Sequence, residues 1–369
     1  MTKSTDLLPE GLEDRLPASA KRITLAMRAC LDVLDSHGYD RGRPPLLEFE
    51  NSLGSRMQGL ETRRMFRMTD PASLRTLSLR SDITPQIGRI ASTSMKDAPR
   101  PLRLAYCGDT AVMKASQLDP ARERLQLGGE LIGSDTAFAA AEIVRVALDA
   151  LRKAGLTGLS VDFTMPDLLD TLGKQDRSLS SASLDAIRRE LDTKDAGGLK
   201  AVGGDAYLPL LYATGPFSEA LSKLRELDPA GALSTRLDGL EEIASRIPDD
   251  VRVTLDPTER HGFEYQSWFG FTIYAENVRG AAGRGGTYVI GGTDEVATGF
   301  TLYVNRLAEA APEPENTGWV IYLEKGYDAA TVKVAHGQGH RTIAQLSKDE
   351  DPADFGATHI MRGTEITKL

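Results

Sequence analysis

Apolar positions recur at helical spacing in two places along this chain. Ile23, Met27, Cys30, Leu31 and Leu34 share one stripe and predict a helix from about Ser19 to His37, stopped by Gly38. Ile143, Val144, Val146, Ala147 and Leu151 share another, a strongly amphipathic helix over Asp135–Ala154 that Gly155 closes. Elsewhere the apolar runs are strand-sized. MFRMTD and TLSLRSDIT fall within Arg64–Ile87 and lead into a helix through Ile90, and two strands flank a loop in Arg103–Ile132. Further strands are expected at Leu159–Met165, Val251–Leu255, Tyr265–Ala275 and Thr287–Ile290, with a helix near Gly299–Ala311. GYDRGRPPLLEFENSL reads as an extended segment broken by Pro44 and Pro45.

Between about Pro166 and Ile247 the composition turns helical and polar, with breaks such as DAGGLKAVGGD, and reads as a helical insertion ended by Pro248. APEPEN (Ala311–Asn316) is a Pro-rich linker. A strand at Trp319–Leu323, a helix at Ala329–His336 and a strand at Thr342–Leu346 follow it. The expected organisation is a main domain over 1–310 with its insertion at about 166–250, a linker at 311–316, and a small C-terminal α/β segment over 317–369.

Composition narrows the function classes. A hydrophobic content of 41% with 26% charged residues is that of a soluble globular protein. Two cysteines, Cys30 and Cys107, are too few and too scattered for a disulfide framework or a zinc site, which fits a reducing cytosol. No segment has the apolar length of a signal peptide or a membrane span, so a cytoplasmic chain without membrane partners is expected. The formal charge of −9 weighs against extensive binding to a phosphate backbone, and no nucleic acid is expected as a partner. The glycines spell neither a P-loop nor a dinucleotide fingerprint, and GxSxG and HExxH are absent. His336 and His340 have metal-like spacing, but HGQGH brings no nearby third ligand and reads as a turn, so neither a metal nor a cofactor is expected.

The most informative stretch is RLAYCGDTAVMKASQLDPARERLQLGGELIG, Arg103 to Gly133. It resembles motif 2 of the class II aminoacyl-tRNA synthetases, closest to histidyl-tRNA synthetase, where an Arg-x-Glu grips the nucleotide. Here Val112 stands at the arginine position and Lys114 at the glutamate position, while Gln126 and Glu130 match residues that line the amino-acid pocket. A guanidinium fork suits a phosphate better than any neutral side chain. Losing one preorganised stabiliser of a transition state costs about 2.7–4 kcal/mol. If the alignment shifts by a few residues, Arg122 or Arg124 would supply the guanidinium instead.

Other motifs continue the resemblance in order. Pro45 and Glu48 match motif 1, which forms the dimer interface; a plain Pro-restricted turn is the alternative. LRSDITPQIGRI resembles the segment that binds the α-amino group of histidine, through Asp82 and Thr84. An ammonium needs an anionic acceptor and a second oxygen. Asp82 also suits an N-cap for a helix opening at Thr84–Pro85, and the two roles are compatible. ERHGFEYQSWFGFTIYA resembles the histidyl family's Arg-Gly-Leu-Asp-Tyr-Tyr signature, with His261 at the arginine position and Tyr265 and Gln266 at the tyrosines. GRGGTYVIGG resembles its Gly-Gly-Arg-Tyr-Asp turn, with Thr287 and Val289 replacing arginine and aspartate. TGFTLYVNRL resembles motif 3, with Gly299 and the late ATP-binding arginine, Arg306, retained.

A histidyl-synthetase core with degenerate ATP motifs and a short tail resembles a paralogous family, the regulatory subunits of ATP phosphoribosyltransferase in histidine biosynthesis. The resemblance implies a class II synthetase-like α/β fold on a mostly antiparallel sheet flanked by helices, dimeric within a hetero-oligomer. It implies no catalysis of its own. The partners would be a short-form catalytic subunit, which the chain activates, and L-histidine as feedback effector. The implied histidine-binding residues are Asp82, Thr84, Gln126, Glu130, Tyr265 and Gln266, with Arg306 as a residual nucleotide contact. Two other classes stay open: a diverged histidyl-synthetase-like adenylating enzyme, and a tRNA-binding module.

Overall fold

Glycine and proline mark the ends of the elements on which the fold is built. Pro17 opens α1 (Pro17–Ser36), and Gly38, at φ +78°, closes it: Gly38 N–H bonds Asp35 O and Tyr39 N–H bonds Leu34 O. Ala26, Cys30 and Leu34 form its buried stripe. The computed structural model describes residues 8–54, 65–114, 120–173, 180–260, 266–312 and 318–369. It divides into two units, Met1–Ala311 and Pro312–Leu369.

After α1 come β1 (Asp40–Arg41), β2 (Leu47–Phe49), α2 (Glu50–Gly54), β3 (Arg67–Thr69), β4 (Thr76–Leu79) and α3 (Thr84–Ser92). The central pair β5 (Leu102–Ala111) and β6 (Glu123–Ile132) leads to α4 (Ala137–Lys153) and β7 (Ser160–Thr164). The helical insertion holds α5 (Leu168–Gly173), α6 (Ser181–Asp192), α7 (Ala196–Ala201), β8 (Gly215–Pro216), α8 (Phe217–Leu227) and α9 (Ser234–Ala244). Then follow β9 (Arg252–Leu255), β10 (Gln266–Tyr274), β11 (Gly283–Val289), β12 (Val296–Tyr303) and α10 (Val304–Ala310).

The main sheet runs β1-β5-β6-β12-β11-β10-β7-β9-β8. Its neighbours are antiparallel except β1 with β5 and β7 with β9. This is a mixed, mostly antiparallel sheet flanked by helices, as the resemblance implies. A smaller sheet, β2-β4-β3, carries the segment around Pro45 and Glu48.

Two expected boundaries need correction. Residues from Gly299 to Tyr303 are strand, not helix; only Val304–Ala310 is helical. They alternate between two sheet faces and pair with both β6 and β11, so tertiary pairing decides their state. The strand expected at Thr287–Ile290 begins at Gly283, because the glycines lie inside it. A Cβ at Gly285 would strike the Gly299 carbonyl and the Phe271 ring.

The alternation of strand residues gives the sheet two unlike faces. Leu127, Leu131, Phe300, Leu302, Phe271, Ile273, Val161 and Phe163 belong to the core that includes α1 and α4. The opposite face carries Tyr106 and Gly108 of β5, Gln126, Gly128 and Glu130 of β6, Gly299, Thr301 and Tyr303 of β12, and Arg284 of β11. Glycines there leave room for polar side chains to lie across the backbone. A Cβ at Gly108 would meet the Arg80 guanidinium, one at Gly128 the Tyr106 hydroxyl, and one at Gly299 the Glu130 carboxylate.

The second unit has β13 (Val320–Leu323), α11 (Ala329–Gly337), β14 (Arg341–Ala344), β15 (His359–Arg362) and β16 (Glu365–Lys368), in the sheet order β14-β13-β15-β16. The last two strands go beyond the elements read from the tail's sequence. Ile321, Leu323, Ala335 and Met361 form its core. The spaced histidines serve packing: His336 Nε2 shares a hydrogen bond with Thr342 Oγ1 at 2.8 Å, and His340 stacks on Trp319 with ring centroids 4.6 Å apart.

Replacing glycine by alanine inside a strand ordinarily gains stability. Gly128→Ala is expected to do the reverse, losing about 1–3 kcal/mol through overpacking against a carbonyl that cannot move. Urea unfolding of the purified chain measures this, and an unchanged or raised midpoint would remove the argument from packing.

Candidate functional site

The polar sheet face and the N-terminus of α3 enclose one hydrogen-bonded cluster. α3 opens with Thr84 and Pro85, and Ile83, not Asp82, occupies the cap position. Asp82 still serves the helix start, since its Oδ1 accepts from Thr84 N at 3.1 Å. Gln126 ties the helix to the sheet: its Nε2 donates to Asp82 Oδ1 at 2.7 Å and to Thr301 Oγ1 at 3.1 Å, and its Oε1 accepts from Ile83 N at 3.0 Å. The Tyr106 hydroxyl lies 3.1 Å from Thr84 Oγ1 and 2.6 Å from Thr301 Oγ1. Asp82, Thr84, Gln126 and Glu130 are therefore brought together, and all four are buried.

Glu130 sits deepest, 1% exposed, and takes a hydrogen bond from Tyr288 at 2.9 Å, with the Thr84 and Tyr106 hydroxyls close by. Burial pushes its carboxyl up to about 8 from an ordinary 4.5; Asp82 adds to the rise, while the neighbouring Tyr288, Thr84 and Tyr106 hydroxyls oppose it. Burial and the neighbouring Glu130 raise the Tyr106 and Tyr288 phenols well above their usual range, so both remain donors at neutral pH. The cluster offers oxygen acceptors and hydroxyls to a small polar ligand. Its chemistry suits an ammonium group: a carboxylate at Asp82 beside the Thr84 hydroxyl, with a further carboxyl behind.

The segment around Pro45 is pinned to α3. Arg89 Nε lies 3.1 Å from both Glu48 oxygens, and Gln86 Nε2 donates to Glu48 Oε1 at 2.9 Å and to Pro45 O at 2.8 Å. Buried Arg80 crosses Gly108 and donates to Asp109 O at 2.7 Å and Pro44 O at 3.0 Å. These contacts fix Asp82 and Thr84 relative to β5 and β6. Arg80, Gln86 and Arg89 are supports that the sequence pattern does not single out, although they stand in the same LRSDITPQIGRI segment. Tyr106, Tyr288 and Thr301 join the site through cross-strand register, which one strand's sequence cannot display.

The positions that the resemblance assigns to a nucleotide are engaged differently. Val112 ends the β5–β6 ladder, its N–H bonding Arg122 O at 2.9 Å, and Lys114 is exposed. Arg122 donates from Nε to Val112 O at 3.2 Å and from Nη1 to Glu10 O at 3.2 Å, so its guanidinium serves the local turn. Arg306 Nη1 donates to Ala281 O at 3.1 Å, and its guanidinium lies over the Tyr303 ring. Thr287 points to the other sheet face, within 2.7 Å of Ser267 Oγ, and Val289 is exposed; Tyr288 between them faces Glu130. His261 and Tyr265 lie outside the described residues, as does the side chain of Gln266.

A raised carboxyl pKa fixes the sign of one pH effect. The folded state holds the Glu130 proton where the unfolded chain has released it, so Glu130's contribution is whole below 4.5 and lost as pH rises toward about 8. Glu130→Gln is therefore expected to flatten the fall in Tm between about pH 5 and about pH 9. Thermal melts of both proteins across that range decide it, and parallel slopes would contradict the assignment.

Comparisons with known proteins agree with this architecture. The family model for histidyl-tRNA synthetase matches residues 11–307. The ATP phosphoribosyltransferase regulatory subunit of Paramagnetospirillum magneticum is 38% identical over 361 residues, covering 95% of this chain and 94% of that one. The protein of that name from Rhodospirillum centenum is 37% identical and covers 100% of this chain and 98% of its own. Among solved structures, an ATP phosphoribosyltransferase regulatory subunit/histidyl-tRNA synthetase from Bacillus halodurans superposes with a TM-score of 0.81 at 25% identity, covering 96% and 97% of the two chains. A histidyl-tRNA synthetase from Nostoc, 15% identical, gives 0.77 over 97% of this chain and 91% of its own and shares the fold. Matched along nearly its whole length by such relatives, the chain belongs to the histidyl-tRNA synthetase-like family of ATP phosphoribosyltransferase regulatory subunits.

Proposed function

We propose that this chain catalyses no reaction alone and acts on a short-form ATP phosphoribosyltransferase catalytic subunit, activating it and conveying feedback inhibition by histidine. The observation that carries this reading is an asymmetry between two sets of residues. The Asp82, Thr84, Gln126 and Glu130 cluster is complete and hydrogen-bonded, whereas the position implied for a phosphate-binding arginine is Val112, which has no donor. Binding of an amino acid survives such a loss; stabilisation of charge at an α-phosphate does not. Dimerisation through the Pro45–Glu48 region is part of the same proposal.

Feedback then follows from linkage. Histidine shifts activity only by binding one quaternary state more tightly than another, and couplings of about 1–3 kcal/mol are usual. In this account Asp82 and Thr84 hold the α-ammonium, and Gln126 fixes Asp82. Tyr265 and Gln266, which the resemblance gives as contacts of the imidazole, belong to the same proposal.

The deciding experiment measures phosphoribosyltransferase activity of the catalytic subunit with and without this chain across a histidine titration. Activity is expected to rise on addition and fall with histidine. No activation and no co-elution would defeat the reading, and histidine-dependent ATP–pyrophosphate exchange by the chain alone would establish an adenylating enzyme instead. Asp82→Ala is expected to raise the half-inhibitory histidine concentration about tenfold or more, the loss of one charge-assisted hydrogen bond of about 1.5–3 kcal/mol, while leaving activation in place. An ammonium near Glu130 also favours its ionised form, so histidine binding should release a proton. Calorimetry above about pH 7.5, where the ligand imidazole is neutral, reads that release as a dependence of enthalpy on the buffer.

A further inference from the structure

The basic end of the polar sheet face holds a feature that the amino-acid site does not use. Tyr303 closes β12 directly opposite Gln126, and the guanidinium carbons of Arg306 and Arg124 lie over its ring at 5.3 and 5.8 Å from the centroid. Arg284 is near as well: burial raises the Tyr303 phenol, and Arg284, Arg124 and Arg306 together oppose the rise. The arrangement is fixed from several sides. Tyr303 N bonds Ala282 O at 3.2 Å, Arg306 Nη1 bonds Ala281 O at 3.1 Å, and Asn305 Oδ1 accepts from Leu125 N at 2.8 Å, clamping the start of α10 to β6.

We infer that Tyr303 is a specificity-determining residue whose ring occupies the place beside Arg124 and Arg306 that the planar base of a nucleotide would need. A guanidinium gains the same kind of stacking and cation–π attraction from a tyrosine ring as from a purine. The tyrosine is attached to the sheet, so it competes as an intramolecular ligand at an effective concentration that free nucleotide does not reach. The retained arginine of the motif 3 segment is thereby engaged internally, and the pocket is left to a small amino acid. This inference rests on the proposed reading of the Asp82–Glu130 cluster as an effector site and adds what keeps nucleotides out of it.

The test uses the full chain with adenosine and ATP as probes, by saturation-transfer NMR and calorimetry. Adenosine carries the base without phosphates, so the missing donor at Val112 does not enter. Tyr303→Ala is expected to bind adenosine at least about tenfold more tightly than the unaltered chain, equivalent to about 1.4 kcal/mol. Tyr303→Phe, which keeps the ring, should behave as the unaltered chain, and adding Arg306→Gln to Tyr303→Ala should abolish the gain. A folded Tyr303→Ala protein without that gain, or an unaltered chain that binds adenosine equally well, would overturn the inference. Near-UV circular dichroism reports folding; if the alanine variant fails there, Tyr303→Val withdraws the ring with less lost volume and takes the same titration. Histidine is titrated separately: its failure to bind counts against the effector reading, whereas the adenosine gain alone scores Tyr303.

Discussion

Glu130 is a carboxyl group held inside a sheet among phenols and hydroxyls, and much of the surrounding structure follows from keeping it hydrogen-bonded there. An ionisable group in that position needs polar neighbours and space for them. Tyr288 supplies a hydrogen bond, Thr84 and Tyr106 bring further hydroxyls near, and the bare backbone of Gly299 supplies the space. Tyr106 in turn lies over Gly128, and its hydroxyl contacts Thr301. A deep carboxyl thus organises four strands and the start of α3 into one polar layer, on the reverse of a sheet whose other face is ordinary apolar core.

That division explains what could be read from the sequence and what could not. α1 and α4 declare themselves through apolar stripes and terminal glycines, because each helix contacts the core along one side and stops with a local backbone motif. Asp82, Thr84, Gln126 and Glu130, which the fold brings together, were legible as an ordered series of motifs. Thr301 was hidden, since TGFTLYV reads as helix when its alternation is not weighed against neighbouring strands. Tyr106 and Tyr288 lie inside the motif segments, but nothing in either segment alone says which groups they meet. Their roles come from register across β5, β6, β12 and β11, a relation between residues far apart in sequence.

The arginines show how one residue type is divided among tasks. Arg80 and Arg89 hold the Pro45–Glu48 segment against α3, Arg122 ties the β5–β6 turn to Glu10, and Arg306 stabilises the β10–β11 connection at Ala281. A guanidinium already committed to carbonyls and carboxylates is poorly placed to wait for a phosphate. Counting arginines in a motif therefore overstates its capacity for nucleotides; what matters is whether the fold has already spoken for them.

The glycine floor also limits how such a pocket can change over evolutionary time. Side chains cannot grow upward from Gly108, Gly128 or Gly299 without colliding with Arg80, Tyr106 or Glu130. Single substitutions that alter ligand choice must then arise at the rim, where Val112, Lys114 and Tyr303 stand. A scaffold of this kind can exchange one chemistry for another by a few peripheral steps while its centre stays frozen by geometry alone.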